Sequence, residues 1–295
     1  MRFGLHLSVA QGLEATLAQA KKLRLECLQI FAGTPRTWRQ KPLDPDQAAA
    51  FRQGLAALGL EPVVVHAPYL INLASPERGL WQRSIAALAE QIERARALGA
   101  AAVVVHPGSR GQRGLDWGLA RAALGVARAL EAAGEGAACW LENTAGGGGH
   151  LGGGLAELAE LLARLPGRPV GAVLDTAHAW AAGYDLAGAP AVAGFLDEVE
   201  RALGLERVRM WHLNDSLHPR GSRRDQHTHL GRGLLGGGCF AALAAEPRLA
   251  QAGGVMETPK DSPRADPRNL AYMRRLRTLA GRRGRRSEKP WLAGS

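Results

Sequence analysis

Eight short runs rich in Val, Ile, Leu and Phe recur along the chain, each bounded by Gly or Pro and separated by helix-like segments. They are RFGLHLS (2–8), ECLQIFAG (26–33), PVVVHAP (62–68), AAVVVHPG (101–108), ACWLENT (138–144), VGAVLDT (170–176), VRMWHLND (208–215) and GGVMETP (253–259). This alternation constrains the fold more than any other feature. Strand, helix and strand in succession call for a parallel sheet with right-handed crossovers. Eight repeats predict a closed (β/α)8 TIM barrel of the α/β class. An open sheet would leave two edge strands, which should be more polar than any of these. Between the third and fourth runs, SIAALAEQIERARALG (84–99) sets Ile85, Leu88, Ile92 and Ala95 on one helical face, and Gly99 is placed to end the helix. No linker interrupts the pattern, so one catalytic domain is expected over 1–280, followed by a basic, flexible tail over 281–295.

Net charge is +10, but residues 272–291 alone hold eight Lys or Arg against one Glu. The body is therefore only mildly basic, and the tail is either a solvated terminus or an electrostatic handle for a polyanion. Cys27, Cys139 and Cys239 are far apart and form no CxxC pair, which argues against a disulfide framework or a cysteine-rich zinc module. Met1 is followed directly by RFGLHLS without the apolar core of a signal peptide, and no apolar run is long enough to span a bilayer. A soluble, cytoplasmic protein with no membrane partner is expected.

What ends the strands points to chemistry. From the third run onward the apolar stretch stops at His66, His106, Glu142, Asp175, His212 and Glu257. In a barrel these ends converge on the face where such enzymes keep their active sites. A single histidine there would read as a polar cap, but capping would use Ser, Asn, Lys and Gly as often as His, Asp or Glu. LDTAH adds His178, three residues after Asp175, and RDQH adds Asp225 and His227, thirteen and fifteen residues after His212. Clustered carboxylates repel and raise one another's pKa, and divalent cations relieve this. Imidazole with carboxylate suits zinc or manganese. Nine donors exceed what one ion can use, so two or three ions are implied. A positively charged site of that kind favours phosphate, and phosphodiester hydrolysis is the expected reaction.

The segments VHAPYLINLASP (65–76), VVHPGS (104–109), LENTAG (141–146), LDTAHAWAAGYD (174–185), HLNDS (212–216), GSRRDQHTHLGRG (221–233) and METP (256–259) resemble the endonuclease IV family of apurinic/apyrimidinic endonucleases over nearly the whole chain. That resemblance implies a zinc centre of three ions, with manganese possible at one or more sites. It implies a first ion held by His66, His106 and Glu142, and a second by Glu142, Asp175, His212 and Glu257. The third would take His178, Asp225 and His227. Glu142 and Glu257 would be catalytic through the ions they hold. The implied reaction cuts duplex DNA 5′ to an abasic site and leaves a 3′-hydroxyl, with trimming of 3′ ends, as a monomer in base excision repair. Arg36 matches a basic wedge that enters the duplex, and Tyr69 and Leu70 match a second insertion loop. His6 and Gln29, which end the first two runs, are candidates for orienting the ligands.

There are departures from the family pattern. Gln226 stands where the family has an arginine, and Gly147 where it has a glutamine. GGGGHLGGG (146–154) contains a G-x-G-x-x-G, but it follows the fifth strand of a barrel and its glycine density makes the match uninformative. His150, His218 and His229 read as solvated loop residues. Three other readings compete. A sugar isomerase or epimerase on the same barrel predicts fewer ligands and no DNA wedge. An ultraviolet-damage endonuclease differs in lesion. A non-catalytic DNA-binding protein with structural metals would be expected to use closed, cysteine-rich sites.

Overall fold

A computed structural model describes residues 1–287; residues 288–295, the outer part of the expected tail, lie outside the described residues. The strands are β1 (Arg2–Leu7), β2 (Cys27–Phe31), β3 (Val63–His66), β4 (Ala102–Val105), β5 (Ala138–Glu142), β6 (Val170–Asp175), β7 (Val208–His212), β8 (Asp215–Ser216), β9 (His227–Thr228) and β10 (Gly253–Met256). The helices are α1 (Leu13–Leu23), α2 (Pro45–Leu58), α3 (Arg78–Leu98), α4 (Leu115–Ala133), α5 (Leu155–Ala163), α6 (Thr176–Ala182), α7 (Ala189–Ala202), α8 (Gly236–Ala245) and α9 (Ala265–Ser287). Eight strands close into a barrel in the order β1-β10-β7-β6-β5-β4-β3-β2, every pairing parallel. The expected TIM barrel is present. Residues 281–287, the inner part of the segment expected as a tail, continue α9.

Local chemistry explains where elements start and stop. Asp44 caps α2 by accepting from the Asp46 and Gln47 amides at 2.9 and 3.2 Å, and Pro45 opens the first turn without needing a partner for a missing N–H. Gly99 ends α3 at φ 73°, a left-handed conformation that glycine adopts without strain. The fourth run is strand only to Val105, because Pro107 lacks an N–H and Gly108 turns the chain at φ 99°. At the base, Arg277 of α9 donates to Glu26 at 2.9 Å and to the Met1 carbonyl at 3.0 Å, tying the last helix to the first strand.

The barrel interior is built in layers. Val64, Val104, Trp140, Val173, Met210, Val255 and Cys27 pack together as an inner apolar cluster, separate from the larger core between barrel and helices. Successive strand residues face opposite sides, so the residue two positions on points inward again. Two residues after each of these come His66, His106, Glu142, Asp175, His212, Glu257 and Gln29. The remaining barrel strand, β1, obeys the same parity: His6 follows Gly4, whose hydrogen stands where a Cβ would lie 2.1 Å from the Cys27 carbonyl oxygen. The top layer of the barrel is therefore a ring of His, Gln, Glu and Asp resting on an apolar floor.

Candidate metal centre

Within the ring, His66 Nε2 and His106 Nε2 each lie 3.3 Å from Glu142 Oε2. On the other side of the same carboxylate, His212 Nδ1 is 2.8 Å from Glu142 Oε1 and 3.4 Å from Glu257 Oε2. Asp225 reaches back from the loop after β7 to lie 3.1 Å from both His178 Nε2 and His227 Nε2. Three groups have donor atoms all within 4.8 Å of one another: His66, His106 and Glu142; Glu142, Asp175, His212 and Glu257; and Asp175, His178 and His227. Glu142 belongs to the first two and Asp175 to the last two, so the three groups form one connected cluster. All nine residues singled out from the sequence meet here.

Hydrogen bonds leave the ring nitrogens poised as donors to an ion. His66 Nδ1–H donates to the Ala67 carbonyl at 2.8 Å and His178 Nδ1–H to the Asn143 carbonyl at 2.9 Å, which frees each Nε2 lone pair. Gln29 Oε1 accepts from His212 Nε2 at 2.8 Å, leaving Nδ1 free toward Glu142, while Gln29 Nε2 donates to Glu257 at 2.5 Å and to His6 Nδ1 at 2.9 Å. Gln29 thus orients two donors of the second group at once. His227 Nε2 is buried and faces the carboxylates of Asp225 at 3.1 Å and Asp175 at 3.7 Å, without well-aligned hydrogen-bond geometry to either, as a nitrogen turned toward a shared ion would be. The donor set is imidazole and carboxylate without thiolate, which fits zinc or manganese.

The charges of the cluster stabilise one another. Burial acts to raise the Glu142 carboxyl, but His212, His106 and His178 outweigh it and hold the group well below the usual carboxylate range. Glu257 is held down in the same way against burial, chiefly by His212 and His6. Burial opposes protonation of His212 and His227, yet Glu142 and Glu257 around the first and Asp175 and Asp225 around the second push both up to about 9. His106 goes the other way, to about 4, because burial exceeds the pull of Glu142. Taking up divalent ions would displace protons from the raised imidazoles.

Three further residues hold the cluster and were not singled out from sequence. Asn143 accepts from the Asp175 amide at 2.6 Å and donates to the Asp175 carbonyl at 3.2 Å. Asn214 donates to Asp175 Oδ2 at 2.5 Å and Glu257 Oε2 at 3.3 Å, and accepts from the Glu257 amide at 2.8 Å. Asp215, fully buried, accepts four backbone N–H groups, from Ser216, Gly231, Gly233 and Leu235 at 2.9–3.1 Å. It staples the two ends of the loop that carries Asp225 and His227. The only available signal was position: Asn143 and Asn214 each fall one or two residues after a strand-end donor.

A cavity of about 430 Å³ opens over the ring, lined by His6, Phe31, Tyr69, Gln226 and Lys260 among others. Beside it lies a cleft of about 630 Å³ walled by Ile71, Asn72, Ser109, residues 146–148 and Arg223. Tyr69 is 65% exposed, its ring edge-on to Phe31 at 5.6 Å and tilted over His66 at 5.8 Å. Leu70 beside it is half-buried, and Arg36 is exposed in the loop after β2. Gln226 accepts from His218 at 2.9 Å, and at Gly147 a Cβ would come within 3.0 Å of the Arg223 carbonyl oxygen. His229 is bound by Asp261 and Asn269, each at 3.0 Å, so it and His218 belong to networks and are not simply solvated. His150 is exposed, its backbone bridged to Ser109, and the glycine-rich segment forms a wall of the cleft.

Known proteins share this architecture. A family profile described as a xylose isomerase-like TIM barrel matches residues 17–279. The chain is 43% identical over 278 residues to Endonuclease 4 of Thermus thermophilus, spanning 92% of this chain and 97% of that protein. It is 41% identical over 278 residues to Probable endonuclease 4 of Chloroflexus aurantiacus, spanning 93% and 98%. A crystal structure of endonuclease IV from Thermus thermophilus superimposes with a TM-score of 0.86 at 42% identity, covering 95% of this chain and 100% of that one. With its barrel, its strand-end donors and this extent of identity, the chain belongs to the endonuclease 4 family of xylose isomerase-like TIM barrels.

Proposed function

We propose that the chain is a zinc-dependent DNA-repair endonuclease that hydrolyses the phosphodiester 5′ to an abasic site in duplex DNA, leaves a 3′-hydroxyl and trims 3′ ends, acting as a monomer. The observation that carries this reading is the joining of three donor groups through Glu142 and Asp175. A sugar isomerase needs one or two ions and has no use for the third group. His66, His106 and Glu142 would hold one ion, and Glu142, Asp175, His212 and Glu257 a second. His178, Asp225 and His227 would hold a third, with Asp175 in reach. Zinc bound there would polarise the phosphate and lower the pKa of a water nucleophile.

The chain's own groups do the rest. Gln29, Asn143 and Asn214 fix the donors in place, so no reorganisation is needed as charge builds on the phosphate. Tyr69 projects from the mouth, where it can occupy the gap left by an extruded nucleotide, with Leu70 beside it. Arg36 offers a cation to the strand, and the cleft beside the ring can receive a sugar without its base. A missing base lowers the unstacking cost, which is the source of lesion selectivity. No helix among the described residues is long and apolar enough to cross a membrane.

A duplex carrying one tetrahydrofuran abasic analogue tests the proposal. Metal-replete protein should nick it on the 5′ side of the lesion, and chelation or Glu257→Gln should abolish the cut. Intact substrate with metal-replete protein refutes it.

A further inference from the structure

Outside the metal ring, arginines and tryptophans interleave along the upper part of α3 and α4. Arg83 lies over Trp38 with 5.4 Å to the ring centroid, Arg121 over Trp81 at 3.8 Å, and Arg113 over Trp117 at 5.4 Å. Arg121 also faces Trp117 at 5.6 Å, which joins the Trp81 and Trp117 stacks into one ridge. Arg78, the first residue of α3, adds an exposed cation at the same end of the helix. Burial lowers the Arg121 pKa, and the nearby Arg128 and Arg78 add to that, which marks a crowding of like charge.

This crowding is not neutralised by carboxylates among the described residues. Elsewhere arginines sit against carboxylates, as Arg164 does with Glu160 at 2.9 Å, Arg248 with Asp197 at 2.8 Å and Arg277 with Glu26 at 2.9 Å. None of Arg78, Arg83, Arg113 and Arg121 takes part in an ion pair among the described residues. Arg78, Arg83 and Arg113 are exposed. A guanidinium stacked on an indole face is held flat while its N–H edge stays available for phosphate oxygens, and stacking lowers the entropy lost when it binds.

The ridge adjoins the active-site mouth. The loops leading into α3 and α4 begin at His66 and His106, so the N-terminal ends of both helices lie at the ring end of the barrel. Those loops are clamped together by Asn72, which donates to the Ser109 carbonyl at 3.0 Å and accepts from the Ser109 amide at 2.9 Å. Arg121 donates to the Ser75 carbonyl at 3.3 Å, tying α4 to the loop that presents Tyr69. Trp38 lies in the same loop as Arg36.

We infer that Arg83 and Arg113, each stacked on a tryptophan, and the exposed Arg78 at the start of α3 form a second contact surface for the phosphate backbone of duplex DNA, extending the footprint past the lesion on one side. The inference rests on the reading of the chain as a DNA endonuclease. Its chemistry is recognition of a polyanion by pre-oriented guanidinium groups, without base readout.

The test compares wild type with a triple Arg78→Gln, Arg83→Gln, Arg113→Gln variant and a triple variant with Lys at the same positions. Each is bound to a long duplex with a central abasic analogue over a range of salt. Loss of three phosphate contacts should lower the slope of log affinity against log salt by about 2 to 3, and weaken binding on the order of 10-fold at moderate salt. The Lys variant should keep most of the slope. Nicking of a short duplex that ends just beyond the lesion should be unchanged in both. A wild-type slope in the Gln variant, or an equal loss in the Lys variant, overturns the inference by making the ridge a packing device. Should the Gln variant fail to fold, hydroxyl-radical footprinting of wild type decides: protection extending further on one side supports the inference, and symmetric protection refutes it. Failure of wild type to nick the short duplex would refute the proposed function instead.

Discussion

Asp215→Asn isolates the device that shapes the loop bearing Asp225 and His227. The Asp215 carboxylate is fully buried, with Oδ1 accepting from Ser216 and Leu235 at 2.9 and 3.1 Å, and Oδ2 from Gly231 and Gly233 at 2.9 and 3.0 Å. An Asn side chain has the same shape but only one oxygen, so whichever way it is turned two backbone N–H groups face an NH2. Leaving a buried donor unmet costs about 1–3 kcal/mol each. The other two bonds lose charge assistance, about 1 kcal/mol each. The total is about 5 kcal/mol, a large share of a typical stability of roughly 5–15 kcal/mol. Urea unfolding of the metal-free protein should register this loss. Amide exchange at Gly231 and Gly233 should rise well before that of the barrel strands, because the loop opens first. A destabilisation below about 1 kcal/mol, with exchange unchanged, would refute the reasoning.

Other expectations follow from single groups. Burial tends to raise the Glu26 carboxyl, but Arg277 and the Phe3 amide hold it below its ordinary 4.5, so its contribution is full above that pH and is lost as pH falls through the depressed value. Because the pair is partly exposed, the stability difference between wild type and Glu26→Gln should stay under about 1 kcal/mol near neutrality and vanish in acid. Burial pushes the Cys27 and Cys139 thiols up to about 12, and Cys239 is buried as well, so a thiol reagent should label native protein slowly and unfolded protein at once. Tyr69→Ala should weaken binding to an abasic duplex by about 10-fold while leaving metal content intact, if its exposed ring fills the gap in the stack.

The fold was legible because each barrel strand is a short apolar run with a fixed parity. Val64 and His66, or Val173 and Asp175, share the inward face as strand geometry requires, so the donor ring could be anticipated from strand ends alone. His178, Asp225 and His227 were accessible through their spacing to those ends. The supports were not. Asn143 and Asn214 have the composition of ordinary strand-end polar residues, and their roles depend on Asp175 and Glu257, more than thirty positions away. Asp215 binds amides that only loop closure brings near it. The arginine–tryptophan stacks on Trp38, Trp81 and Trp117 come from a loop and two helices, with no shared period to reveal them. Residue types predicted chemistry, whereas orientation came from contacts that only the closed barrel creates.

Metal content per chain, measured by mass spectrometry on protein loaded with zinc and freed of excess, tests the central claim most directly. The account predicts three zinc ions in wild type, matching the three donor groups. His227→Ala should lose one ion and keep the others, since His227 belongs only to the group with Asp175 and His178. Wild-type protein saturating at one ion, or His227→Ala retaining the wild-type count, would contradict the account.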